Sequence, residues 1–330
     1  MATSESRRNA GKITVSVGNE LLMSGPVISA DVDTAAVRAR PQSGVSEILD
    51  SRTANVGSIP VRRALPQRAR RTVGAWCFFD HGGPLKAPAG VGGIGPHPHI
   101  GLQTVTWMLA GELLHRDSLG TEQTIRPGQL NLMTAAAGIV HAEEHTSDGR
   151  VELAQLWIAQ PSATRDGPGE FEHYADLPEV DLGGGTATVL VGSLANATSP
   201  ARRDTDHVGV ELLVRSQLVV PADRAYEYVV VPMDAPVEVD GRLVGPGRLA
   251  YLGPGREELP VKAAEPARVI LLGGVPFEEP ILMWWNYVAR TREEITAAHA
   301  DWTQRRARFK IPDSQLAPID VPPPLWAPPH

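Results

Sequence analysis

The chain has 330 residues, enough for roughly two domains with modest cores. A formal net charge of -7 disfavours direct nucleic-acid binding and attachment to anionic membrane, since both need concentrated basic charge. One cysteine, Cys77, excludes an internal disulfide and a thiolate metal cluster, and fits a reducing compartment.

The N-terminal MATSESRRNAGK lacks the apolar stretch of a signal peptide, and no later run approaches the roughly 18 apolar residues of a membrane span. The expectation is a cytoplasmic protein. Residues 1–55 are polar, without sustained periodicity, and read as a loose, flexible extension. Arginines cluster at Arg62, Arg63, Arg68, Arg70 and Arg71, and again at Arg305, Arg306 and Arg308, and read as solvated surface.

From Ile59 onward, short apolar segments are bounded by Gly, Pro, Asn or Asp at strand-like intervals: Gly74 to Phe79, Thr104 to Leu109, Gln129 to Met133, and Leu153 to Ile158. With 32 Gly and 29 Pro as punctuation, this is the pattern of an antiparallel barrel or sandwich. A second series runs through Ala187 to Val191, Glu211 to Val220, Tyr226 to Val231, Val237 to Val239, Arg248 to Leu252 and Arg268 to Leu272. The two series overlay. QTVTWML from Gln103 matches YEYVVVP from Tyr226, and PGQLNLM from Pro127 matches PGRLAYL from Pro246, which predicts two similar β-domains in tandem.

After Phe277 the pattern changes. Arg292 to Arg308 is rich in helix formers, with Glu293 and Glu294 near its start and arginines at its end, as a helix dipole prefers. The tail VPPPLWAPPH, from Val321, reads as extended or mobile. The expected divisions are 1–55, 56–185, 186–310 and a Pro-rich tail at 311–330.

Two short motifs carry the chemistry. In PHPHIGLQ, from Pro96, His97 and His99 lie two apart and project together on a strand; so do His141 and Glu143 in GIVHAEEH, from Gly138. Adjacent strands in a barrel would converge three imidazoles and a carboxylate on one point. Such a set suits Fe(II), Mn(II), Ni(II), Cu(II) or Zn(II) and leaves two positions of an octahedron open. HAEEH is not the H-E-x-x-H of zinc proteases, since the glutamate does not follow the first histidine. His81 and His115 sit in turn-like sequences and read as hydrogen-bonders to backbone. His145 lies two beyond Glu143 and is a pocket candidate; Trp107, Met133 and Trp157 read as core residues with a pocket-wall role as the alternative. The places in the second repeat equivalent to the four ligands fall near Val220, Ala222, Pro260 and Lys262, so the second barrel is expected to be metal-free.

The runs FFDHGGP at Phe78, HPHIGLQTVTWMLAGELLHRDSLG from His97 and RPGQLNLMTAAAGIVHAEEH from Arg126 resemble the N-terminal domain of the pirin family. GGVPFEEPI at Gly273 and EEI at Glu293 resemble its C-terminal region. The resemblance spans about residues 60–310. It implies an all-β bicupin, an N-terminal metal-binding cupin followed by a metal-free one with a terminal helix. The ligands it implies are His97, His99, His141 and Glu143. The ion would be one divalent metal, iron foremost, with Ni, Mn, Cu, Zn or Co as the others. Many pirins carry Phe-Glu where this chain has Leu102 and Gln103, a difference that bears on pocket polarity and leaves Gln103 as a hydrogen-bonder behind the ligands. The activity implied is a quercetin 2,3-dioxygenase-like reaction of O2 with a flavonol-like aromatic, with Glu143 as ligand and base. The alternative is a metal- or redox-dependent regulatory protein acting through a protein partner.

Overall fold

The structure, a computed structural model, describes residues 46–57, 59–87, 92–146 and 149–326. The part of the expected loose extension at 1–45 lies outside the described residues. Two antiparallel barrels follow one another along the chain, each made of a seven-stranded and a four-stranded sheet. In the first, the large sheet orders the strands that begin at Glu170, Leu130, Leu102, Gly149, Trp76, Ile59 and Arg52. Its small sheet orders those beginning at Gly93, Ile139, Leu113 and Glu122. The second repeats the scheme with strands beginning at Ser46, Arg248, Glu227, Ala267, His207, Gly185 and Glu179, and with a small sheet of those beginning at Gln217, Glu258, Val237 and Arg242. The tandem repeat read from the two matched segments is therefore present: Leu102–Ala110 and Glu227–Pro232 hold the same place, as do Leu130–Thr134 and Arg248–Leu252. This is the bicupin arrangement.

Burial explains the strands. Gln217–Pro221 and Glu258–Ala263 alternate exposed and buried residues, the period-two signature of a sheet with one face in water. Leu102–Ala110 is instead buried on both faces over most of its length, because one side lines the first barrel and the other meets the second. That contact is a shared apolar layer: Trp76, Val105, Trp107, Leu130 and Leu156 pack with Val229, Val231, Tyr251 and Leu272. Its two indoles are satisfied across the boundary. Trp76 Nε1 donates to the Val208 carbonyl at 3.1 Å, and Trp107 Nε1 to Glu211 Oε2 at 2.7 Å.

The second barrel's interior is filled by Val189, Val210, Leu212, Val220, Leu259, Val261 and their neighbours. Pro260 and Lys262 are exposed, so the sequence overlay of the second ligand pair is one residue out of register: Leu259 and Val261 are the inward positions.

Three boundaries differ from expectation. Residues 46–55 are not loose: Ser46–Asp50 pairs along Arg248–Leu252 of the second barrel, and Arg52–Val56 along Ile59–Leu65 of the first. Both are half-exposed edge strands, whose polar composition masks their pairing. The helix (α1) spans Arg292–Thr303 rather than reaching Arg308. The Thr291 hydroxyl caps it by accepting from Glu294 N, and Arg305, in a left-handed conformation at φ 53°, ends it before a 3-10 turn at Ala307–Phe309. The segment Glu211 to Val220 is two strands, His207–Val214 and Gln217–Pro221. The described tail is extended and fastened. Ile319 N donates to the Pro96 carbonyl (2.9 Å), while Trp302 Nε1 and His299 Nε2 donate to the carbonyls of Ile319 (3.2 Å) and Val321 (3.1 Å). No helix among the described residues is long and apolar enough to cross a membrane.

Candidate metal centre

The strand Gly93–His99 pairs antiparallel with Ile139–His145, setting His141 opposite His97 and Ile139 opposite His99. The shared pleat turns all three imidazoles into the first barrel. Their ring centroids are 4.3 to 5.0 Å apart, and one nitrogen from each lies within 4.8 Å of the others. Each histidine is 1% exposed. Burial pushes His97 down to about 4 and holds His99 and His141 well below the usual imidazole range, so all three are neutral donors near pH 7.

Backbone carbonyls set two of the ring orientations. His97 Nδ1 donates to the Gly95 carbonyl at 2.8 Å and His99 Nδ1 to the Asn286 carbonyl at 3.0 Å, which leaves Nε2 of each as a lone-pair donor. Gly95 has no room for a side chain: an added Cβ would lie 2.1 Å from the Ala317 carbonyl oxygen of the tail. His99 Nε2 and His141 Nε2 approach to 3.1 Å. Two nitrogens bound at right angles to one ion at about 2.1 Å stand about 3 Å apart, so the existing spacing fits a shared metal. These donors suit a divalent transition metal.

Glu143 lines the same cavity but does not belong to the compact group of three. The Thr106 hydroxyl lies 3.1 Å from Glu143 Oε1 and 3.0 Å from Gln155 Oε1. Burial raises the Glu143 carboxyl above its ordinary value, a cost that a cation beside it offsets. Around these groups the cavity is mostly apolar, with Val56, Ile59, Ile94 and Leu153 in its wall and Asp80 and Gln155 as its other polar members. Phe78 and Trp157, both in the cavity wall, stack on each other at 4.0 Å and 14°, and Trp157 meets His99 edge-on at 5.2 Å.

Other expectations fall differently. Gln103 and Trp107 lie on the face of their strand opposite Thr106 and so turn away from the cavity. Gln103 donates to Thr134 Oγ1, and Trp107 faces the second barrel. Met133 packs in the apolar cluster with Leu102 and Trp157. His145 is 2% exposed and is not part of the cavity wall. Trp157, read first as core, is core and wall at once. His81 and His115 stand on strands, not in turns. His81 bridges Glu152 (2.9 Å) and Arg62 (2.9 Å), and His115 stands behind His141. Arg63 is not solvated surface. It is 3% exposed, forms a two-pronged pair with Asp80 (2.8 and 2.7 Å), and lies over the Phe78 ring. Phe78, Asp80 and Gly82 alternate along FFDHGG, and that period was the available sequence signal for this wall.

The family model described as Pirin matches residues 58–158, and that described as the Pirin C-terminal cupin domain matches residues 208–310. A Pseudomonas aeruginosa protein named "Putative quercetin 2,3-dioxygenase PA1205" is 46% identical over 275 residues, 82% of this chain and 87% of its own length. A "Pirin-like protein" of Caulobacter vibrioides is 36% identical over 280 residues, 81% of this chain and 95% of its own. Among solved structures, a quercetin 2,3-dioxygenase from Acinetobacter baumannii is 43% identical and superposes with a TM-score of 0.81 over 84% of this chain and 95% of its own.

Proposed function

The chain belongs to the pirin family, and from that membership we propose that it is a metal-dependent dioxygenase acting on flavonol-like aromatics that carry adjacent hydroxyl and keto oxygens. His97, His99 and His141 are the proposed ligands, with Glu143 as the fourth donor and Fe(II) as the first candidate ion, ahead of Ni, Mn, Cu, Zn and Co. The observation that carries the reading is the convergence of three neutral, buried imidazoles whose donor atoms all lie within 4.8 Å of one another.

A bound divalent ion supplies Lewis acidity and open positions for the substrate oxygens and O2. The chain supplies the rest. Phe78 and Trp157 supply aromatic wall beside His99 for a planar substrate, held in place by their own stacking. Glu143, held by Thr106 at the cavity, takes the proton of the substrate hydroxyl. The apolar wall excludes water from the electron-rich substrate.

The test is anaerobic loading with Fe(II), addition of quercetin, then oxygen. Ring cleavage with both oxygen atoms incorporated and carbon monoxide released is the expected result. Metal-loaded protein that leaves quercetin and related flavonols unchanged with each of the candidate ions would overturn the assignment.

A further inference from the structure

We propose that His115, backed by Asp117, is the positioning residue that fixes the tautomer and aim of His141. This rests on the three-histidine reading above. His97 and His99 are anchored through Nδ1 to backbone carbonyls, which no side-chain substitution removes. His141 is anchored differently. Its Nδ1 lies 3.4 Å from His115 Nδ1, and His115 Nε2 lies 3.1 Å from Asp117 Oδ2.

The direction of donation follows from the ligand role: with its Nε2 lone pair given to the metal, His141 carries its proton on Nδ1, so His115 Nδ1 is the acceptor and His115 Nε2 donates to the Asp117 carboxylate. The His141 Nε2 lone pair then faces His99 Nε2 at 3.1 Å. Asp117 is itself fixed, since its Oδ1 accepts from Leu119 N (2.9 Å) and Thr121 N (3.0 Å). Phe171 stacks on the far side of the His115 ring at 4.4 Å, and His115 is 3% exposed. The register makes the relay possible: His141 stands opposite Asp117, and Glu143 opposite His115. A carboxylate behind an imidazole behind a ligand raises the ligand's basicity as well as holding it, and loss of such support typically weakens metal binding 10–100-fold.

The experiment measures Co(II) affinity by competition with a chelator, together with the visible absorption bands of the Co(II) protein. His115→Phe keeps a ring on Phe171 but removes the acceptor. The expected result is a Kd raised about 10–100-fold with shifted bands, partial recovery in His115→Gln, and an intermediate loss in Asp117→Asn. Thermal melting of the metal-free variants verifies folding, and the Gln and Asn variants carry the test should the Phe variant not fold. Unchanged affinity and bands in these variants, with wild type binding one Co(II), overturn the relay and leave the three-histidine site standing. Wild type that takes up no Co(II), Fe(II) or Ni(II) removes the site and the relay together.

Discussion

Removing the His99 imidazole takes away a donor that no neighbouring side chain replaces. It also strands the Asn286 carbonyl that accepts from Nδ1, and a buried acceptor left without a partner costs about 1–3 kcal/mol. His99→Ala is therefore expected to lose stoichiometric metal while its metal-free form melts a few degrees below wild type, read by elemental analysis and circular dichroism. Retention of one ion per chain would refute its role as a ligand. At this scale the sequence was informative for a physical reason: the proposed ligands sit on two short strands, and a two-residue spacing is all that a pleat needs to place side chains on one face. Gln155 and the Asn286 carbonyl were not legible, and the alternation that carries Asp80 did not say what it faces, because each reaches the cavity or its ligands through pairings with distant segments. The pairing of Asp80 with Gln155, for example, depends on the register between Trp76–Ala87 and Gly149–Ala159.

Among the elements, the tail and the terminal helix show how a remote segment supports the centre. The composition from Val321 reads as extended or mobile, but the fastening of the described tail depends on three-dimensional neighbours: the Ile319 amide on Pro96 and the Ala317 carbonyl over Gly95, whose own carbonyl anchors His97. Truncation after Asp313 removes four described hydrogen bonds between the tail and the body, those of Ile319 N, Trp302 Nε1, His299 Nε2 and Trp326 Nε1. At about 1 kcal/mol each, the expected loss is about 4 kcal/mol in urea unfolding. Metal affinity should fall with it, as the strand bearing His97 loses its backing. Equal affinity in full-length and truncated protein would confine the tail to stability alone. The helix boundary erred for a related reason, since residues with good helix propensity beyond Thr303 are diverted by the left-handed turn at Arg305 and the docking of Phe309.

Across the whole molecule, buried neutral histidines set the acid limit. Desolvation lowers His97 and, in the second barrel, His207 from 6.5 to about 4. Each folded-state value is depressed, so between about 4 and 6.5 the unfolded chain binds more protons than the fold does. Stability therefore rises with pH through that window and is lost as pH falls through it, by an amount on the order of 3 kcal/mol for each such histidine. Urea midpoints of the metal-free protein at pH 7.5 and 5 should differ accordingly; a flat profile would contradict the neutral, buried state of these rings. The two-barrel organisation itself was legible because both halves repeat the same strand order, whereas the shared apolar layer at Trp76 and Trp107 was not. Both faces of Leu102–Ala110 are buried there, so the outward Val105 and Trp107 look like the inside of a barrel and burial does not alternate.

The segment 46–56 stitches the barrels together, its first strand completing the second barrel's sheet and its next strand the first barrel's edge. During synthesis, Ser46–Asp50 leaves the ribosome long before Arg248–Leu252 exists to receive it, so the second barrel closes its sheet with a strand made before the first barrel was built. A fragment that starts after residue 56 would leave Arg248–Leu252 as an open ladder of amides and carbonyls, a template onto which other chains add and aggregate.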